Sequence, residues 1–185
     1  NVIIVGSVNE QSQFSAFSNR AGSQADFYLS ALGERICCVY ENGAIKTETN
    51  ASGTFVTVVS GTSFSAPQVS GAAALLKQAF PNLTAAQMVS ILLASARDVG
   101  ATGTDATFGR GILDIAAAFA PRGATALAGS STQIALTDST AIGSAAMGDA
   151  FARTAARAVV LDSYGRAYGY DLARGMQRAS VAPRL

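Results

Sequence analysis

Three consecutive residues, Gly61-Thr62-Ser63, are the part of this sequence best suited to chemistry. A β-branched run, Thr54 to Val59, leads into them, and apolar residues at helical spacing follow. A serine at such a junction holds its hydroxyl in the open. The free N–H groups and partial positive charge of a helix start stabilise a developing oxyanion. The plainer role of a serine at this place is an N-cap, worth about 1 kcal/mol. A serine hydroxyl also needs a base before it is a useful nucleophile, and the chain contains no histidine. Only Lys46 and Lys77 supply side-chain amines. Lys77 lies further along the same helix, about 21 Å away by helical rise. Lys46 falls in a hairpin and remains open as a base. An α/β-hydrolase would need Gly-x-Ser-x-Gly, but Ser65 holds the last place of that pattern.

The elements that must position Ser63 follow from periodicity. Val2 to Val8 reads as a buried strand, and Phe27 to Leu32 as a second one closed by Gly33. Asn42-Gly43 between Arg35–Glu41 and Ala44–Thr49 is a hairpin signal. From Ser63 or Phe64 to about Phe80 the period is helical, with Val69, Ala72, Ala73, Leu76 and Phe80 on one face. Pro67 is expected in the first turn, where its missing N–H costs nothing. Small residues all round this helix predict burial on several sides. Pro81 ends it. Thr84 and Gln87 form a capping box for a second helix running to about Ala96. Gly109 to Ile115 leads into a short Ala-rich helix ending before Pro121. Beyond it the sequence is rich in Gly, Ala, Ser and Thr, with a weak strand at Gln133 to Leu136. Phe151 to Val160 reads as a short helix or strand. A hairpin of Val159 to Asp162 with Ala167 to Leu172 is expected around Ser163-Tyr164-Gly165-Arg166, and the last dozen residues read as frayed.

Composition narrows the function. Of 185 residues, 49% are hydrophobic and 14% charged, which supports a packed core rather than a disordered chain. Lys plus Arg number 13 against 12 acidic residues without a basic cluster, which argues against a nucleic-acid partner. No apolar run nears the roughly 20 residues of a membrane helix. Absence of histidine leaves Cys and carboxylates as the strong metal ligands, which argues against a zinc site. The two cysteines, Cys37-Cys38, are adjacent. Ordinary disulfide geometry is awkward between neighbours. The plain reading is one inward and one outward thiol on a strand; a bridge to another segment, or reactive chemistry, is the alternative. The chain opens inside a strand, without a basic leader, and so reads as part of something longer.

Gly61-Thr62-Ser63-Phe64-Ser65-Ala66-Pro67-Gln68-Val69-Ser70-Gly71 resembles the nucleophile segment of the subtilisin-like serine proteases, the subtilases. That family's pattern has Met or a similar apolar residue where Phe64 stands, and His where Gln68 stands. This His is not the catalytic one, so the change bears on packing and hydrogen bonding. Phe17-Ser18-Asn19-Arg20-Ala21-Gly22 resembles the family's Phe-Ser-Asn-Arg-Gly loop, and Ala31-Leu32-Gly33 sits where it has Ala-Pro-Gly. Phe80-Pro81-Asn82-Leu83-Thr84 and Gly109 to Asp114 are similar to its closing helices and their connection. The likeness spans about residues 1 to 120. The segment from Ala158 to Tyr168 looks like the region joining a subtilase passenger to later domains in bacterial exported proteins of the autotransporter type.

The resemblance implies an α/β fold: the C-terminal part of a three-layer sandwich with a mostly parallel sheet. It places the peptidase portion at 1–120, with a linker and small β-rich appendage at 121–185. It implies that Ser63 is acylated and that its N–H joins the oxyanion hole. Thr62 is then a hydroxyl near the oxyanion, or simply a turn residue, and Gly61 allows close approach of substrate. Pro67 and Gly71 are structural. The family's order is Asp, His, Ser, so Asp, His and the oxyanion Asn are expected on an upstream segment and the chain alone is expected to be inactive. The implied partners are a polypeptide substrate and that upstream segment or a complementary chain, in a secreted or cell-envelope setting. A scaffold or binding module that lost the triad is the alternative. No cofactor is expected. Family members often bind calcium, for which Asp98 and Asp105 share a plausible loop without forming an identified site.

Overall fold

The computed structural model describes residues 2–134, 142–143, 157–171 and 177–178. The chain divides into two compact units, Asn1–Phe119 and Ala120–Leu185.

In the first unit, β1 (Ile4–Val8) and β2 (Tyr28–Leu32) pair in parallel, with Ser7 beside Ala31 and Val8 beside Leu32. The other edge of β2 is covered by residues 110–113: Arg110 N–H donates to Tyr28 O, and Leu113 N–H to Ser30 O. Both strands are apolar runs because both faces are covered near their carboxyl ends. Leu29, Ser30 and Ala31 are essentially inaccessible.

Two short antiparallel hairpins follow. The first pairs β3 (Tyr40–Glu41) with β4 (Ala44–Ile45), and the second pairs β5 (Thr47–Asn50) with β6 (Gly53–Val56). Asn42 and Gly43 both take positive φ, 53° and 81°, the geometry a two-residue turn of this hand demands. The β5–β6 pairing was not expected. Its signal is the Asn50-Ala51-Ser52-Gly53 turn, where Asn50 Oδ1 accepts from Ser52 N–H at 2.8 Å.

Cys37 and Cys38 depart from the strand expectation. They are joined to each other by a disulfide across a cis peptide, with Cα atoms 3.0 Å apart. Neither residue falls within a strand, so the alternation expected there does not hold.

Helix α1 (Thr62–Ala79) lies against β1 and β2, and α2 (Ala85–Ser95) against α1. The expected capping box is present: Gln87 N–H donates to Thr84 Oγ1 and Thr84 N–H to Gln87 Oε1. Helix α3 (Ile115–Phe119) brings Phe119 to Phe80, ring centroids 5.9 Å apart.

Two expectations for α1 need correction. It buries one stripe only: Ser65, Val69, Ala72 and Leu76. Ala66, Ser70, Gly71, Ala74 and Leu75 are exposed, on the part of the helix that β1, β2 and α2 leave uncovered. Pro67 lies inside the helix rather than in its first turn, because α1 begins at Thr62. The Ser63 carbonyl consequently has no N–H to meet four residues on.

The second unit is built on a three-stranded antiparallel sheet: β7 (Ala126–Leu127), β9 (Arg157–Leu161) and β10 (Ala167–Asp171), in the order β10-β9-β7. A further two-residue pair joins β8 (Ile142–Gly143) to β11 (Gln177–Arg178) in parallel. The expected hairpin is the β9–β10 pair, with Gly165 at φ 72° in its turn. Gln133 makes only an isolated bridge to Ala126. Ala135, Leu136, the 151–156 stretch, Leu172 and most of the last dozen residues lie outside the described residues.

Candidate active site

The start of α1 is fixed by close packing against the carboxyl ends of β1 and β2. Gly61 N–H donates to Gly33 O at 2.7 Å. Ser65 Oγ, fully buried, donates to Ala31 O at 3.0 Å. Ser7 Oγ and Ser15 Oγ share a buried hydrogen bond of 2.9 Å, and Ser18 Oγ accepts from Ser7 N–H. Ser15 N–H in turn donates to Ser7 O. These hydroxyls satisfy backbone and each other where a larger side chain would push the helix off the strands.

Gly33 is the point of closest approach. A Cβ there would overlap Ser65 Oγ and stand 2.5 Å from Ser7 Oγ and 2.8 Å from Gly61 O. The sequence marks Gly33 as the close of a strand and Ser65 as one of the small residues that let the helix pack closely; that the two meet is visible only in the structure. Their signal was a Gly and a buried-size Ser at the two ends of a strand-to-helix return.

Gln68 carries a second tether. Its Nε2 donates to Leu32 O at 2.5 Å and to Phe64 O at 3.0 Å, so one carboxamide ties α1 to the end of β2. A neutral carboxamide does this without a titrating group.

Ser63 sits in the first turn of α1 and is exposed. Among the described residues its hydroxyl has no hydrogen-bond partner, and Phe64 N–H turns back onto Gly61 O at 3.0 Å. Thr62 opens the helix, half-buried. Gly61 stands just before it, and a Cβ there would meet the Phe64 ring at 3.7 Å and Ser63 N at 3.9 Å, both ordinary contacts. The structure thus brings Gly61, Thr62 and Ser63 together at an open helix start.

It brings no lysine to them. Lys77 Nζ donates to Pro81 O at 2.7 Å and Leu83 O at 3.0 Å, at the far end of the helix. Lys46 Nζ lies 3.7 Å from Glu41 Oε2 in an exposed pair on the first hairpin. Asp98 and Asp105 serve their own loop. Asp98 Oδ2 accepts from Gly103 N–H, and Asp105 Oδ1 from Thr107 and Phe108 N–H. No group of three or more metal-ligating side chains occurs among the described residues, and no helix there is long and apolar enough to cross a membrane.

The sequence model of the subtilase family matches residues 1–111. The chain belongs to the subtilase family. Curated relatives agree: the Neisserial autotransporter lipoprotein NalP of Neisseria meningitidis serogroup B is 41% identical over 97 residues, covering 52% of this chain and 8% of that protein. An extracellular serine protease of Serratia marcescens is 32% identical over 126 residues, covering 62% of this chain and 12% of that one. Among solved structures, MycP1 from Mycobacterium smegmatis superposes with a TM-score of 0.51 at 35% identity, over 65% of this chain and 30% of that one. The subtilase chain therefore spans under a third of each of these relatives. Its α/β architecture in the first unit is that of the subtilisin-like proteases.

Proposed function

We propose that Ser63 is the acylated nucleophile of a serine endopeptidase, and that the Asp, the His and the oxyanion Asn come from a segment outside these 185 residues. The observation that carries this is the Ser63 hydroxyl, exposed and without a partner among the described residues, in the first turn of a helix whose start is clamped by Gly33, Ser65 and Gln68. Ser63 Oγ attacks the scissile carbonyl while the supplied imidazole takes its proton. The carbonyl oxygen gathers charge beside the Ser63 N–H and the Thr62 hydroxyl. The imidazole returns the proton to the leaving amine, and water then hydrolyses the ester. Gly61, with no side chain, leaves room for the substrate backbone. Without a base Ser63 is an ordinary alcohol, so the chain alone has no meaningful activity.

Residues 1–120 are on this reading the peptidase part and 121–185 a linker and β-rich appendage. Polypeptide is the substrate class. The names of NalP and the Serratia enzyme favour a secreted or cell-envelope setting. Labelling by a fluorophosphonate tests the assignment. Label is expected on this chain only when the upstream segment is supplied, and none in Ser63→Ala. Label on neither preparation sinks the nucleophile assignment and leaves a scaffold derived from a subtilase.

A second reading, a half-enzyme completed by a separate Asp- and His-bearing chain, is favoured by one observation. Beside Ser63, the small residues Ala66, Ser70, Gly71 and Ala74 form an exposed face that admits a close neighbour. Restored labelling on mixing two separately purified chains supports it; labelling only of a single continuous chain rejects it.

A further inference from the structure

A cleft of about 380 Å³ opens at the carboxyl ends of β1 and β2, walled by Val8, Leu32, Ile112 and Leu113. Its polar lining includes Arg97 and Gln68. The carboxyl ends of parallel strands are where open α/β sheets hold their ligands, and the volume is that of a small-ligand site.

Arg97 is held more firmly than an exposed arginine usually is. Its backbone exchanges both hydrogen bonds with Ile112, Arg97 N–H to Ile112 O at 2.8 Å and Ile112 N–H to Arg97 O at 2.9 Å. Its guanidinium Nη2 donates to Ser12 Oγ at 2.8 Å. Ser12 is itself held in the left-handed region, φ 64°, where a non-glycine residue is strained. Asn9 enforces that strain: its Oδ1 accepts from Gln11 and Gln13 N–H, and Ser12 N–H donates to Asn9 O. The Ser12 hydroxyl is the partner this loop presents to the Arg97 guanidinium. No ion pair takes up Arg97 among the described residues.

We propose that this cleft binds an aliphatic carboxylate, with the Arg97 guanidinium taking the carboxylate and Val8, Leu32, Ile112 and Leu113 taking the hydrocarbon. A planar guanidinium pre-set by one hydrogen bond keeps further N–H donors for a carboxylate fork. Gln68 has spent its N–H groups on Leu32 O and Phe64 O, so its Oε1 is an acceptor for a ligand amide. Glu10, exposed at the rim, is the one acidic residue lining the cleft and opposes the ligand's charge. The chemistry is shared by a polypeptide C terminus and a free fatty acid. This site makes no use of Ser63; it shares with the nucleophile's surroundings Gln68, whose N–H groups tether α1.

The test is a titration of the 15N-labelled 185-residue chain, read by the amide shifts of Leu32, Ile112 and Leu113. The probes are N-acetyl-leucyl-leucine, its C-terminal amide, and octanoate. Saturable shifts with at least one acid and none with the amide are expected. Arg97→Ala weakens that binding about tenfold or more, as loss of a charge-assisted pair does. Ser12→Ala weakens it less, and Glu10→Gln tightens it. Tighter binding of the peptide acid assigns a polypeptide C terminus; tighter binding of octanoate assigns a fatty acid. Equal binding of acid and amide by the unsubstituted chain overturns the proposal without any variant having to fold. So does the absence of saturable shifts up to about 10 mM, or unchanged affinity in a folded Arg97→Ala.

Discussion

Gly33 and Ser65 meet with no room between them: a single methyl on Gly33 would overlap the Ser65 hydroxyl, which is itself engaged with Ala31 O. The same methyl would stand 2.8 Å from the Gly61 carbonyl, a backbone atom that cannot step aside as a side chain can. Gly33→Ala is therefore expected to destabilise the first unit by about 1–3 kcal/mol. It also moves the start of α1. In a preparation that labels with fluorophosphonate, the rate should fall beyond what the loss of folded protein explains. Urea unfolding and labelling rate, measured on one sample, separate the two effects. Unchanged stability would mean that α1 and β2 can part freely.

Gly71 has the opposite surroundings. It lies on the exposed face of α1, and a Cβ there would meet nothing within 4 Å. Gly71→Ala should stabilise this chain by about 0.5–1 kcal/mol, the backbone-entropy gain in a helix interior. If another segment packs on that face, as the small residues suggest, supplying it should cancel or reverse the gain. Thermal unfolding with and without the upstream segment reads the sign.

These two glycines also mark what the sequence could and could not convey. Helix α1, the capping box of α2, the Asn42-Gly43 turn and the β9–β10 hairpin were legible because each rests on neighbours in sequence. The pattern Gly61 to Gly71 placed Ser63 at a helix start for the same reason. What escaped were relations across the chain. Gln68 reaches back 36 residues to Leu32 O, and Ser65 reaches back 34 to Ala31 O. Small residues all round α1 predict burial on several sides, but size permits close packing without requiring it. Pro67 falls beyond the first turn because the helix begins at Thr62, ahead of the expected Ser63 or Phe64. The Cys37–Cys38 bridge is not legible because ordinary disulfide geometry disfavours a bond between neighbouring cysteines.

In the second unit, charge is buried in a way that periodicity cannot reveal. Arg166 Nη2 and Asp162 Oδ2 lie 2.7 Å apart with both side chains inaccessible. Asp162 Oδ1 accepts from Tyr164 and Arg166 N–H at 3.0 Å each, and Oδ2 from Arg122 N–H at 3.2 Å. Arg166 also donates to Ala120 O and lies under the rings of Tyr164 and Tyr168. Removing either partner leaves a buried charge without its counterpart. Asp162→Ala or Arg166→Met alone should cost about 3–5 kcal/mol. The double replacement should cost less than the sum, since the two act as one unit. Amide exchange of Val160 and Tyr168 reports this locally; additive losses would mean that the pair is not coupled.

Alkaline pH should act on the first unit through Tyr28. Its ring is 2% exposed, and its hydroxyl donates to Asn19 O at 2.5 Å. Gly6 makes the space, because a Cβ there would overlap the phenol. Burial raises the Tyr28 pKa above its ordinary value of 10.0, against smaller lowering contributions from Ser18 and Ser30. The native state therefore holds the phenol proton more tightly than the unfolded chain does. That share of stability is fully present below the ordinary value and is lost as pH rises through the raised one. Tyr28→Phe should cost about 1 kcal/mol near neutrality, through the unpaired Asn19 carbonyl. It should also flatten the alkaline decline. Urea midpoints for both proteins between about pH 8 and 11 decide it: parallel declines would place the alkaline loss elsewhere, and convergence of the two curves at high pH would assign it to Tyr28.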